Sequence, residues 1–409
     1  MAAAYPFEGL RVLDFGIGAV GVEIGRLFAE YGADVIKMET NANLDFIRGI
    51  QAGGMNPPFA SSNRSKRSFG VNLKQEAGRA IVRRLVETCD VVVENSAPGV
   101  LERLGFGYDA VRAINPRAVM VSSQLMGSSG PWRSWMGYGP STHPISGLNY
   151  LWNFPDLADQ PGGSQNIYPD HLVGRLGAML AVAGLIERER SGAGCHAEVA
   201  QFELPIALLG DYFLQESMEP GSVAPQGNDS PRGAPWGAYL CDGDDEWCVI
   251  NVRDDAEWKR LRAAIGDPGW AQQAEYATAT GRMQHRAEID AQLSAWTSSR
   301  SAREAMETLQ ARGVPAGMVQ HPRHQLEDPH LAARGYHRPV KQPGLGKLVL
   351  EGPAFHGSEL PEPIVTPAPA LGQHTREICA GLLRMTNDEI DRLVADGVLE
   401  VPQEAPAQV

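Results

Sequence analysis

Three glycines, Gly16, Gly18 and Gly21, stand in a G-x-G-x-x-G frame inside "VLDFGIGAVGVEIGRLFAEYGADVIKMET" (12–40), with Glu39 eighteen residues beyond the last of them. Glycines so spaced between an apolar run and a helical pattern let a pyrophosphate approach a helix N-terminus, and the acidic residue stands where a ribose hydroxyl would be held. The same glycines also make a tight strand-to-helix turn, so the frame says where a ligand lies better than which ligand it is. Two further stretches, "FASSNRSKRSFGVNLK" (59–74) and "VVVENSAPGVLERLG" (91–105), offer Lys66, Arg67, Lys74, Asn95 and Arg103 to a phosphorylated ligand or to solvent. Asp170 precedes a glycine-containing apolar stretch, a place whose first reading is an N-cap, though a helix dipole there would also keep a carboxylate nucleophile ionised. Tyr138 and His143 lie in an irregular segment, as general acids, substrate contacts or structural groups. "HPRH" at 321–324, with His330 nearby, lacks fixed ligand spacing, and "DGDDE" at 242–246 reads as a hairpin turn, so no metal site is expected.

The elements that must position these groups are legible as alternation. From residue 11 to 124, "RVLDF", "DVIKM", "DVVVE" and "AVMVSSQ" alternate with helical stretches at 22–31, 75–88 and 109–114, the pattern of a doubly wound parallel sheet. Residues 127–169 are rich in Gly, Pro, Trp and Tyr and carry no period, which marks them as functional. In the helix that follows, Leu172, Leu176, Met179, Leu180, Ala183 and Ile186 fall on one face and are expected to be buried, while Gly174, Gly177 and Gly184 permit close packing. A Gly/Pro-rich stretch at 219–235 leads into a hairpin, "WGAYL" and "WCVINV". Helices near 254–265, 283–298 and 301–312 and a strand in "GVPAGMVQ" complete a second domain. The terminal "PQEAPAQV" is expected to be disordered.

Composition narrows the function. With 409 residues and a net charge of −13, no Lys/Arg cluster exceeds a few residues, which argues against nucleic acid and for a small-molecule ligand. Five scattered cysteines without a C-x-x-C pair suggest neither a disulfide framework nor a thiolate metal site, and point to a reducing cytoplasm. The longest apolar run, "LGAMLAVAGLI", is too short to span a bilayer, and "MAAAYPFEG" lacks the order of a signal peptide, so neither membrane nor export is expected.

Taken in order, "GLRVLDFGIG", "FAEYGADVIKME", "NRSKRSFGVNLK", "DVVVENSAPGVLERLGFGYDAVRAINP", "RSGAGCHAEVAQFE", "APWGAYLCDGDDEWCVINV", "ARGVPAGMV", "EDPHLAARGY" and "LGQHTREI" resemble family III CoA-transferases, which include formyl-CoA, carnitine and bile-acid CoA-transferases and 2-methylacyl-CoA racemases. The resemblance runs almost end to end. It implies an α/β fold: a large Rossmann-like domain with a doubly wound parallel sheet, formed by residues 1–225 and by 331–409 returning to it, with a smaller α+β domain over 226–330. An interlocked homodimer is implied with it.

By the same resemblance the ligand is coenzyme A, met as acyl-CoA substrate with no permanently bound cofactor, and the partner substrate is a carboxylic acid. Asp170 falls on the catalytic aspartate, which would carry CoA through an anhydride and an aspartyl thioester. Gly18 and Ala19 would lie near the thioester and pantetheine, Val71 and Lys74 near the nucleotide end, and Asn95 and Arg103 along the cofactor. Backbone N–H groups of the glycine-rich loops would stabilise oxyanions, and 225–233 would form a lid. Ala19 stands where formyl-CoA transferases carry a Gln, and Tyr138 where the racemases carry a catalytic His. Racemisation or isomerisation of an acyl-CoA ranks second, and an NAD-dependent oxidoreductase is the alternative of another class. Trp132, Trp135, Tyr150, Trp152 and Phe154 suggest a bulky or apolar acyl group.

Overall fold

The computed structural model describes residues 5–49, 54–157, 160, 162–163 and 166–402. The strands, in chain order, are β1 (Arg11–Asp14), β2 (Asp34–Glu39), β3 (Arg67–Val71), β4 (Val91–Glu94), β5 (Val119–Ser122), β6 (His196–Glu198), β7 (Trp236–Leu240), β8 (Trp247–Asn251), β9 (Ala316–Met318), β10 (His337–Gln342), β11 (Gly346–Glu351) and β12 (Leu399–Glu400). The chain forms two compact units, one of Met1–Leu148, Ser164–Met218 and His330–Val409, the other of Asn149–Gly163 and Glu219–Pro329. Residues 149–163, read from sequence as part of the N-terminal domain, thus group with the second unit. The tail expected to be disordered lies, from 403 onward, outside the described residues.

The first unit is built on a seven-stranded sheet in the order β12-β3-β2-β1-β4-β5-β6. All neighbours are parallel except β12, which pairs antiparallel with β3. The period of two decides the two cores. Leu13, Ile36, Val92 and Met120 face one side, against Ile81, Val82 and Leu85 of the helix Glu76–Val86 and Ile378 and Ile390 near the C-terminus. Val12, Val35, Val91, Val93, Val119 and Val121 face the other, against Ile24 and Phe28 of the helix Val20–Glu30 and Ala178, Ala181 and Leu185 of the helix Tyr168–Ser191. Strands covered on both faces read as continuous apolar runs, which is why this sheet was visible in the sequence.

The buried face of the helix Tyr168–Ser191 differs from the expected one. Val173, Gly174, Gly177, Ala178, Ala181, Gly184 and Leu185 are buried, whereas Met179 and Ile186 are 67% and 60% exposed. The reason is steric. A Cβ on Gly174 would strike Glu23, on Gly177 Ile24, and on Gly184 Val119, so the small residues set how closely the helix approaches the helix Val20–Glu30 and strand β5. Met179 and Ile186 are turned outward, while Leu176 and Leu180 are partly buried against Val20, Val173 and Val199.

In the second unit, β7, β8 and β9 form an antiparallel sheet over a core of Tyr239, Ile250, Trp258, Leu261, Ile289, Leu293 and Leu309. The helix Ala302–Gln310 starts with a capping box between Ser301 and Glu304, which satisfies two orphan donors at once. Arg286 holds Ser230 O at 2.7 Å and Asp229 at 2.7 Å, anchoring the Gly/Pro-rich stretch within its own unit. Among the described residues no helix is long and apolar enough to cross a membrane.

Candidate active site

In an open parallel sheet the helices on the two faces diverge where strand order reverses, leaving a crevice beyond the strand C-termini. Here that point lies between β1 and β4. A cavity of about 340 Å³ opens there, lined by Ile17–Val20 after β1, Asn95–Pro98 after β4, Gln124 and Leu125 after β5, Gln201 after β6, and by Phe46, Trp135–Gly139 and Asp170.

The loop after β1 is fixed from below by buried charge. Asp14 accepts from Gly16 N–H at 2.8 Å, and its second oxygen takes Lys66 Nζ at 2.7 Å. Asp45 accepts from Gly18 N–H at 3.1 Å and faces Lys37 Nζ at 3.1 Å, while Lys37 donates to Gly16 O at 2.6 Å. Asn95 clasps Ile17 twice, accepting from its N–H at 2.8 Å and donating to its carbonyl at 2.9 Å. Gly18 takes φ +70°, and a Cβ there would meet the Phe46 ring, so both backbone and space demand glycine. Burial disfavours charge on Lys37, but Asp45, Asp14 and Glu39 outweigh it and hold its pKa above the usual lysine value. For Lys66, burial wins and, with Lys37 adding repulsion, pulls it down to about 8 against the attraction of Asp14.

This network corrects two expectations. The N–H groups of Gly16, Ile17 and Gly18 are all engaged, so they are not oxyanion donors. The N–H groups that begin the helix Val20–Glu30 remain, since the first turn of a helix has no intrahelical acceptors. Glu39, the residue suited to a ribose, is 3% exposed and held by Arg48 through two bonds of 2.9 and 2.7 Å. The dinucleotide reading thereby loses its acidic contact.

Asp170 sits in the first turn of the helix Tyr168–Ser191, three residues past Ile167, which is the N-cap. It is not a capping residue: its own N–H donates to Ile167 O at 3.0 Å, and its Oδ1 is buried and accepts no hydrogen bond. A Cβ on Gly139 would fall onto the other carboxylate oxygen, so the close approach requires glycine there. Burial pushes the carboxyl up from 3.8 to about 6, opposed only by the charge of His171. At about 6 the group is still mostly ionised at neutral pH, with burial the dominant influence on it. His171 lies 3.5 Å from Glu23, which also pairs with Arg26 and Arg175. Burial raises Glu23, but those partners more than offset it and leave it at about 2.

Of the residues singled out from sequence, Gly18, Ala19, Asn95, Tyr138 and Asp170 line the cavity. Tyr138 stands at its rim, edge-on to Phe46 with ring centres 5.5 Å apart. His143 does not line it: it is fully buried, against the edge of Tyr168 at 5.2 Å, with neither ring nitrogen hydrogen-bonded. Val71 is enclosed in the core, so any ligand contact it makes is through its main chain. Lys74 and Arg103 are exposed and lie off the cavity wall. Phe46, Gln124, Gly139 and Gln201 were not foreseen; only Gly139, in "MGYG", carried a signal, a second glycine two residues after the first. Among the described residues no group of His, Cys, Asp or Glu could hold a metal ion. His321 and His324 instead face Glu246 at 3.8 and 3.9 Å.

Sheet order and site together define a doubly wound α/β protein with a crevice at its switch point and a buried carboxylate residue in the crevice wall. Comparison with known proteins narrows the class. The chain belongs to CoA-transferase family III, whose profile matches residues 7–375. It is 40% identical over 408 residues to "Probable CoA-transferase Rv1866" of Mycobacterium tuberculosis, a match covering 97% of this chain and 51% of that one. The chain thus spans about half the length of that relative. It is 32% identical to the succinyl-CoA–D-citramalate CoA-transferase of Chloroflexus aurantiacus, with 96% and 98% of the two chains covered. It is 30% identical to a formyl-CoA:oxalate CoA-transferase of Rhodopseudomonas palustris, with 98% and 99% covered. Among solved structures, a CAIB/BAIF family protein from Brucella suis superposes with a TM-score of 0.82 at 27% identity, covering 93% of this chain and 100% of that one.

Proposed function

We propose that this chain transfers coenzyme A from an acyl-CoA to a carboxylic acid, with Asp170 as nucleophile. The observation that carries the reading is a buried carboxyl group, one oxygen of which accepts no hydrogen bond, on a residue that lines the cavity at the switch point of a family III CoA-transferase fold. With its pKa raised by burial to about 6, Asp170 is mostly ionised at neutral pH and more basic than a solvated aspartate, which favours attack on a thioester.

Four steps conserve the thioester's energy. An Asp170 oxygen bonds to the acyl carbon as the C–S bond breaks, giving an acyl–aspartyl anhydride and CoA thiolate. The thiolate attacks the aspartyl carbonyl and expels the acyl carboxylate, leaving aspartyl-CoA. The acceptor carboxylate attacks that thioester, forming a second anhydride and releasing thiolate. Attack of the thiolate on the acceptor's acyl carbon yields the new acyl-CoA and restores the Asp170 carboxylate. Each tetrahedral oxyanion needs donors, and the opening N–H groups of the helix Val20–Glu30 are the set not already spent on the loop.

The pantetheine and thioester would lie along Gly18, Ala19 and Asn95, with Arg103 further along the cofactor outside the cavity, and Lys74 and the Val71 main chain near the nucleotide end. Tyr138 is the active-site candidate of the irregular segment; His143, enclosed behind Tyr168, supports packing. The enzyme works as a homodimer in the cytoplasm, without a permanently bound cofactor. Support for association is the outward apolar stripe of Met179 and Ile186, with Leu208, Phe213, Leu214 and Met218 also exposed in the same unit.

The test is peptide mass spectrometry after incubation with a panel of acyl-CoA donors, trapping activated carboxylates with hydroxylamine. Modification confined to the Asp170 peptide, and absent from Asp170→Ala, is expected. Turnover without any modification there would overturn the covalent route.

A further inference from the structure

Resting on that transferase reading, we infer that the acyl site beside Asp170 is built for an apolar monocarboxylic acid of aromatic size and discriminates against dicarboxylic acids. The large apolar side chains of its lining are Ile17, Phe46, Leu125, Trp135, Met136 and Tyr138, and its polar ones besides Asp170 and Tyr138 are uncharged. Phe46 and Tyr138 meet edge to face at 5.5 Å, and Trp135 stacks on Trp132 at 4.9 Å and 16°. Yet within the first unit these side chains are left open: Phe46 is 43% exposed, Trp135 54% and Met136 76%. Rings held by one another and still open to a cavity present faces to an occupant, and burying such surface is the main source of apolar ligand affinity.

Charge argues the same way. Among the residues that line the cavity there is no Lys, Arg or His; the one carboxylate is Asp170 itself. Three cations of the neighbouring loops are already committed and buried. Arg48 holds Glu39 at 2.7 Å, Lys37 holds Asp45 at 3.1 Å, and Lys66 holds Asp14 at 2.7 Å. Every basic residue of the sequence falls in the described part of the chain, so these walls have no unlocated cation of their own. The distal carboxylate of a succinyl or malyl group would give up hydration against aromatic walls beside the Asp170 carboxylate, and no lining side chain supplies the opposite charge that would offset the loss. A phenyl or branched alkyl group meets no such penalty and gains the rings.

Two measurements on the full-length protein separate this inference from the reading beneath it. The first is kcat/KM with 3-phenylpropanoate, hexanoate, succinate and oxalate as acceptors. The second is calorimetric binding of 3-phenylpropanoyl-CoA and succinyl-CoA to Asp170→Asn, which reports acyl preference without turnover. The apolar acids are expected to lead by at least about tenfold in both. Tyr138→Arg is expected to narrow the ratio by supplying the missing cation, and Trp135→Ala to weaken only the aromatic thioester. Transfer that favours succinate or oxalate would overturn the acyl-site inference and leave the transferase reading standing. Apolar preference in binding with no transfer to any acid would do the reverse, and equal affinity for both thioesters overturns the inference whatever the turnover.

Discussion

Asp170 is predicted to make the protein less stable as the pH rises, and replacing it with asparagine should remove that dependence. Its carboxyl has a pKa of about 6 when folded, against 3.8 for a free side chain, because burial penalises the charged form. Between these two values the folded state binds more protons than the unfolded state, so stability falls with rising pH across this window and levels off above it. At about 1.36 kcal/mol per pH unit, the loss amounts to about 3 kcal/mol. Below the lower value both states are protonated and the penalty vanishes. The assay is parallel chemical denaturation of the wild type and Asp170→Asn from about pH 4 to pH 8, taking the difference at each pH so that other titrations cancel. Over this range the variant's advantage should grow by about 2.4 kcal/mol, mostly below pH 6.5, the remainder of the total falling below pH 4. The same ionisation should appear as a rise in kcat/KM through a pH of about 6. A difference that stays flat with pH, or that shrinks as pH rises, would refute the claim that this carboxylate is buried without donors.

Gly139→Ala should lower kcat/KM by about a hundredfold or more, because its Cβ displaces the Asp170 carboxylate and presses on Ile167, the N-cap of the same helix; steady-state kinetics would show the loss, and a melting curve the smaller cost of shifting Ile167. Lys37→Met should destabilise by about 3–5 kcal/mol, since Asp45 is left buried and unpaired; adding Asp45→Asn should recover most of that, because the amide oxygen still accepts from the N–H groups of Gly18 and Ile47, and denaturation of both variants tests it.

How much of this was legible depended on whether the signal was local. The parallel sheet was, because β4 and β5 are covered on both faces and read as "VVVE" and "VMVS". The hairpin of β7 and β8 was, because an acidic turn separates two β-rich runs. The face of the helix Tyr168–Ser191 was not, because apolar spacing reports which side is hydrophobic and not which side the sheet can approach; small residues won that contest. The role of Glu39 was hidden because its partner, Arg48, lies nine residues on in an unpatterned stretch. Asp170 read as a cap because proximity to a helix start does not say whether the side chain turns back to the first amides or away from them.

Sequence alone determined the α/β alternation, the loop where a ligand must lie and the resemblance to the CoA-transferases, since each is written in neighbouring residues or in ordered stretches along the chain. Tertiary structure alone decided what the site is made of. Asp14, Lys37, Asp45 and Lys66 come from four separate segments to lock one loop, and Gly139 comes from a fifth to make room for Asp170. Desolvation and close approach are properties of groups brought together across the fold, and no local pattern encodes them.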